Sequence, residues 1–231
     1  MTDCINDIEE NVLRIKKELE DIGSGAVVLA ATKTRDAGTI LRAVSAGITV
    51  VGENRVQEFR DKFDAVSPFA KMHFIGNLQR NKVKYLVGKA ELIHSVDSYE
   101  TALEISRVAG LRNVTQDVLI ELNSSREAQK GGVTEEELFP LAERISDLPG
   151  VKLRGLMTVG AVLPSPDDYF PLFRRTRELA DGLLKRFQSA DILSMGMSSN
   201  YLVAARCGAT VVRVGSAIFG ERVYTAAEKS D

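Results

Sequence analysis

Ala31-Thr32-Lys33-Thr34 follows directly on Val27-Val28-Leu29-Ala30, an apolar run of the kind expected for a strand buried on both faces. Side chains alternate along a strand, so Val27, Leu29, Ala31 and Lys33 share one face. If that face is the inside of a barrel, Lys33 emerges at its mouth. A lysine held near apolar surroundings gives up its proton more readily, and the neutral amine is a nucleophile toward carbonyls. The alternative is a lysine that merely begins a solvated loop.

Two glycine-rich segments near the other end bear on that choice. Ser194-Met195-Gly196-Met197-Ser198-Ser199-Asn200 combines small residues, hydroxyls and the start of a helix, whose unpaired N–H groups suit an anion. Arg213-Val214-Gly215-Ser216-Ala217 leaves a strand-like run with a glycine, a hydroxyl and backbone donors that can form a nest. Each alone also reads as an ordinary Gly/Ser turn. Arg213 and Gly215 share a strand face opposite Val212 and Val214. An inward arginine stays charged and requires an acceptor, either a structural partner or a ligand atom such as a pyridine nitrogen. An amine nucleophile, a phosphate site and such an arginine together match a pocket for pyridoxal phosphate.

The elements that must position these residues are legible as a regular alternation. An amphipathic helix is expected from about Ile5 to Leu19, with Ile5, Ile8, Val12, Ile15 and Leu19 on one face. Strand-like runs follow at Ala26–Ala31, Ile48–Val51, Met72–Ile75, Leu92–His94, Asp117–Leu122, Val151–Met157, Ile192–Ser194 and Val211–Val214. Helical segments separate them at Thr39–Ala46, Val56–Phe63, Asn81–Val87, Tyr99–Ala109, Glu135–Ser146, Asp168–Phe187 and Asn200–Cys207. Alternation without consecutive strands implies a parallel sheet with helical crossovers. Eight such units in 231 residues predict an α/β fold, a single (β/α)8 TIM barrel domain over 1–231 with an extra N-terminal helix. In that fold the ends of the strands carry the active site, and the loops after strands 7 and 8 frequently hold phosphate.

Composition narrows the classes of partner. Thirty basic against 32 acidic residues leave a formal charge of −2, which attracts neither nucleic acid nor an anionic membrane. No apolar run approaches the roughly 20 residues of a membrane helix, and the acidic N-terminus is not a signal peptide. Two cysteines, Cys4 and Cys207, build neither a disulfide framework nor a multi-cysteine zinc site. A reduced, cytoplasmic protein without a metal is expected. His73 and His94, the only histidines, are read as isolated, hydrogen-bonded structural residues, Cys207 as packing, and Arg174-Arg175 with Arg177 as a solvated helix face.

The sequence resembles the pyridoxal phosphate homeostasis protein family, whose fold is like the N-terminal barrel of alanine racemase. The resemblance rests on A-T-K-T at Ala31–Thr34, G-E-N-R-V-Q-E at Gly52–Glu58 and H-F-I-G-N-L-Q-R-N-K at His73–Lys82. It continues in R-G-L-M-T at Arg154–Thr158, S-M-G-M-S at Ser194–Ser198 and R-V-G-S-A-I-F-G at Arg213–Gly220. These span nearly the whole chain in order. The resemblance implies that Lys33 holds pyridoxal 5'-phosphate as a Schiff base. It further implies that Ser198, Gly215 and Ser216 hold the phosphate, that Arg213 approaches the pyridine nitrogen, and that Asn54 and Met157 line the cofactor. Glu53 and Asn54 also read as helix caps, and Met157 as core. The sequence departs from its relatives at Ser199-Asn200, commonly acidic there, and at Gly131-Gly132.

The resemblance implies a cofactor-holding protein of vitamin B6 homeostasis. Pyridoxal phosphate-dependent apoenzymes would be the recipients, and the chain would be a monomer. The alternatives are a pyridoxal phosphate-dependent amino-acid racemase, or a cofactor-free Schiff-base aldolase acting on a phosphosugar. An arginine at the pyridine nitrogen disfavours transamination but leaves racemisation open. Racemisation needs a second acid/base, which in the resembling racemases comes from a C-terminal β domain. The sequence ends soon after its eighth strand, at Tyr224–Asp231, so that domain is expected to be missing. Tyr201 or Tyr224 would have to substitute.

Overall fold

The eight apolar runs form one closed parallel barrel in the order β1 to β8, with β8 paired back to β1. The structure, a computed structural model, describes residues 7–124, 131–160 and 163–221. The strands are β1 (Val27–Ala31), β2 (Val50–Glu53), β3 (Lys71–Phe74), β4 (Leu92–Val96), β5 (Gln116–Leu122), β6 (Val151–Thr158), β7 (Ile192–Ser194) and β8 (Val211–Val214). The helices are α1 (Asp7–Asp21), α2 (Ala37–Ser45), α3 (Val56–Val66), α4 (Tyr99–Arg112), α5 (Glu135–Ser146), α6 (Phe170–Arg186), α7 (Tyr201–Arg206) and α8 (Ser216–Phe219). Ile5, Cys4 and Tyr224 lie outside the described residues.

Period-two alternation sorts each strand into two environments. Val28, Ala30, Val51, Phe74, Ile93, Val118, Ile120, Val212 and Val214 face outward and join the helices in the main core. The inward residues form two small apolar groups, Leu29 with Val50 and Val211, and Leu92 with Leu119 and Met157. Helix α1 buries Ile8, Val12, Ile15 and Leu19 against its neighbours α2, α7 and α8. The face predicted for it is therefore the one it uses.

Local chemistry sets the ends of several helices. Asp36 Oδ1 accepts from Thr39 N–H at 2.9 Å to cap α2. Thr134 and Glu137 exchange side-chain and backbone hydrogen bonds as a capping box before α5. Three expectations shift. The helix expected at Asn81–Val87 is a 3-10 helix over Arg80–Tyr85, its last turn closed by Leu86 N–H on Val83 O. The long helix expected from Asp168 is a 3-10 turn at Pro166–Tyr169 followed by α6. Pro171, lacking an N–H, fits the first turn of α6 and not a helix interior. Strand β2 begins at Val50 because Ile48 still closes the turn after α2, its N–H on Ala43 O at 3.1 Å. At its other end, pairing of Gly52 with His73 and of Glu53 with Phe74 brings both residues into the strand. Among the described residues no helix is long and apolar enough to cross a membrane.

Candidate functional site

At the C-terminal mouth of the barrel a cavity of about 390 Å³ is bordered by Ala31 and Lys33 from the end of β1, Asn54 after β2, Met197 to Ser199 after β7, and Arg213, Gly215 and Ser216 from β8. Parity explains the lysine: Leu29 lies in the inner apolar group, and Lys33 stands two inward steps further along the same face. The turns after β7 and β8 meet through one hydroxyl. Ser198 Oγ accepts from Gly215 N–H at 3.0 Å and from Ala217 N–H at 3.3 Å. Six of the residues expected at the site (Lys33, Asn54, Ser198, Arg213, Gly215 and Ser216) therefore border one cavity, although they are up to 183 positions apart in the chain.

The seventh does not border it. Met157 is 1% exposed and packs with Leu92 and Leu119 inside the barrel, below the mouth. Val159, two residues on, borders the cavity in its place.

Arg213 crosses the barrel interior. Its guanidinium donates to Ser194 O and Ser194 Oγ, both at 2.9 Å, and to Thr158 O at 2.8 Å. These three acceptors leave two of a guanidinium's five N–H donors without a partner among the described residues. No carboxylate pairs with it among the described residues. Burial pulls its pKa down to about 10, against the weaker opposing pull of Glu121.

His73 and His94, expected to be isolated, meet inside the barrel. His73 Nδ1 and His94 Nε2 are 2.9 Å apart, and His94 Nδ1 is 3.0 Å from Ser194 Oγ. A hydrogen-bonded row thus runs from β3 to Arg213 on β8. Burial lowers the His73 pKa to about 4 and holds His94 well below its ordinary value, so both rings are neutral near pH 7. Their positions on β3 and β4 gave no hint of contact, because the meeting depends on barrel closure.

Asn54 is held at the cavity by a close approach of backbones. A Cβ on Gly76 would lie 1.9 Å from Asn54 O, so only glycine lets the chain after β3 pass there. Asn54 Oδ1 is buried without a partner. Gly76→Ala is expected to destabilise the protein by about 3 kcal/mol, the upper end for overpacking, since backbone cannot yield as a side chain can. Urea unfolding measures it, and a loss below about 0.5 kcal/mol would contradict the contact.

Other readings find their places. Asn200 Oδ1 accepts from Met197 N–H at 2.7 Å and shapes the turn that presents Ser198, so here an amide supplies the acceptor. Gly132 adopts φ +101 where a Cβ would lie 2.7 Å from Asn123 N, which explains that glycine by close packing against β5. Cys207 is buried, and burial raises its thiol pKa. Arg175 bridges α6 to Glu135 at 2.8 Å, and Arg177 donates to Gly208 O at 3.1 Å, so this group ties elements together as well as facing solvent. Tyr201 donates to Glu18 of α1, and its pKa is pushed up to about 12, chiefly by burial.

Two features escaped sequence reading. Arg35 borders the cavity and donates to Gly220 O at 2.9 Å. Its spacing two residues after Lys33 was a usable signal. Glu121, on the inner face of β5, carries a pKa raised to about 7 by burial and by the like charge of Asp97.

Comparisons with known proteins bear on the family and the fold. The family model for the alanine racemase N-terminal domain matches residues 4–223. The chain belongs to this family. A protein of Aquifex aeolicus named pyridoxal phosphate homeostasis protein is 48% identical over 216 residues, 91% of this chain and 95% of its own. One of the same name from Vibrio cholerae is 36% identical over 94% of this chain and 98% of its own. PipY of Synechococcus elongatus, solved with PLP bound, superposes with a TM-score of 0.82 at 30% identity, covering 92% of this chain and 100% of its own. The family's barrel is thus retained along nearly the whole length of these relatives.

Proposed function

We infer that this protein binds pyridoxal 5'-phosphate in the mouth of its barrel and serves in intracellular homeostasis of that cofactor. The observation that supports the reading is Arg213, a buried guanidinium at the cavity with two donors that no group among the described residues takes up. A pyridine nitrogen is an acceptor of the right kind. The unpartnered Asn54 Oδ1 at the same cavity also calls for a ligand contact.

Pyridoxal phosphate supplies an aldehyde that condenses with a primary amine, releasing one water. Lys33 is the amine in this reading; the Ser198 and Ser216 hydroxyls receive the phosphate, together with the Gly215 N–H, which would exchange its bond to Ser198 Oγ for one to a phosphate oxygen. Arg213 keeps a donor on the ring nitrogen, and so opposes its protonation. Arg35 adds positive charge at the mouth. The neutral His73–His94 pair fixes Ser194, one of the groups that holds Arg213 across the barrel. Met157 closes the barrel beneath the site. We place the protein in the cytoplasm as a monomer, with pyridoxal phosphate-dependent apoenzymes as recipients.

Racemisation would need an acid/base facing the substrate from the side opposite the lysine. Tyr201 is poorly suited to that task, being committed to Glu18 of α1 and not among the residues that border the cavity. The test is direct. Protein loaded with pyridoxal phosphate and reduced with borohydride should carry the mass increment on the peptide containing Lys33. An increment confined to another lysine, or none, overturns the reading.

A further inference from the structure

The strand that ends in Lys33 is tied down on its outer side by three charged residues of the neighbouring strand–helix unit. Thr32 points outward by strand parity, opposite Lys33. Its hydroxyl donates to Glu53 Oε1 at 2.5 Å, and its carbonyl accepts from Lys62 Nζ at 3.1 Å. On the other flank Thr34 N–H donates to Glu58 Oε2 at 2.7 Å. Lys62 Nζ joins the two sides, donating to Glu53 Oε1 at 2.9 Å and to Glu58 Oε2 at 2.8 Å. All three ammonium donors are thereby used.

This arrangement is costly in itself. Glu53 is fully buried, its Oε2 has no partner, and burial raises its carboxyl pKa. Buried ion pairs contribute little net stability, because desolvation offsets the attraction. Thr34 adds strain: it holds φ +65, a left-handed conformation that threonine rarely adopts. What the cluster does secure is geometry, since it fixes the peptide groups on both sides of one residue.

We propose that Glu53, Glu58 and Lys62 form a clamp that positions Lys33, holding its backbone so that the side chain is presented to the cavity before the carbonyl partner arrives. The proposal rests on Lys33 being the point of attachment. Lys33 Nζ, once unprotonated, would add to the aldehyde carbon, the carbonyl oxygen would leave as water with the two amine protons, and a C=N bond would remain. Without the clamp Thr34 relaxes to an ordinary φ and Lys33 swings away from the bound aldehyde. Most of the G-E-N-R-V-Q-E segment is thereby explained: Gly52 and Asn54 face the cavity side, while Glu53 and Glu58 work the back of the same strand end.

The test compares wild type, Lys62→Met, Lys62→Arg and Glu58→Ala. Glu58→Ala leaves the Thr32–Glu53–Lys62 contacts in place, so it is expected to fold even if Lys62→Met does not. Pyridoxal phosphate is added, and the borohydride-reducible increment at Lys33 is followed in time. Formation is expected to slow at least tenfold in Lys62→Met and Glu58→Ala, with partial recovery in Lys62→Arg, which keeps the charge. Amide exchange at Thr34 gives a reading independent of the cofactor and should quicken at least tenfold in Glu58→Ala. Wild-type rates of adduct formation in folded Glu58→Ala overturn the positioning role, and unchanged exchange at Thr34 overturns the clamp itself. Absence of a Lys33 adduct in the wild type overturns the cofactor reading instead, and with it the purpose assigned to the clamp.

Discussion

Lys33→Ala protein is expected to lose the borohydride-reducible adduct completely while still binding pyridoxal phosphate through its phosphate. The two parts of the site are physically separate. Lys33 comes from the end of β1, whereas the Ser198 hydroxyl and the Gly215 and Ala217 N–H groups belong to the turns after β7 and β8. Alanine removes the amine and leaves those turns untouched, so the noncovalent site should persist. Losing the covalent link should weaken retention about a hundredfold, or about 2.8 kcal/mol. Equilibrium dialysis of the variant reports the remaining affinity, and peptide mapping after reduction reports the adduct. A full adduct in the variant would show that another lysine carries the cofactor.

Glu121→Gln is expected to stabilise the protein by about 2 kcal/mol at pH 8 and to change little at pH 4. The Glu121 carboxyl lies on the inner face of β5, where burial and the Asp97 charge raise its pKa from 4.5 to about 7, with Arg213 opposing. A folded-state pKa raised above the unfolded one favours folding fully below pH 4.5, and that advantage is lost as pH rises through 7. A shift of this size corresponds to about 3 kcal/mol, reduced to about 2 by the partly solvated edge of the side chain. Glutamine is close in shape and has no charge to bury. His73 acts with the opposite sign over much of the same range. Its pKa, depressed from 6.5 to about 4, gives stability above pH 6.5 that is lost as pH falls toward 4. The two effects partly cancel in the wild-type curve. They separate in the difference between variant and wild type, because His73 is present in both. Urea unfolding from pH 4 to pH 8 makes the measurement, and parallel curves would contradict the burial of a charged Glu121.

The barrel was legible because its signal is local and repeated. Each strand needs only a few apolar residues in a row, and each helix a stripe at 3.6-residue spacing. Errors gathered where no such pattern operates. The 3-10 helix at Arg80–Tyr85 has an apolar spacing too short to tell from an α-helix, and Pro171 divides what periodicity alone joins. Met157 shows the limit for single residues. Its inward direction follows from alternation, but its depth depends on how β6 is staggered against its neighbours.

The eight-unit barrel, the inward direction of Lys33 and Arg213, and the adjacency of the two Gly/Ser turns at one end are written in the chain. Those properties follow from alternation and chain order. Which polar groups meet follows from the closed barrel and the helices docked on it. Closure places His94 against Ser194, 100 positions away, and α3 delivers Lys62 to the back of β1, 30 positions from Thr32. The closed barrel also holds Arg213 on neutral acceptors and leaves two of its donors without a partner among the described residues. Hydrogen bonds act over about 3 Å, a range at which strand stagger and helix placement govern every contact.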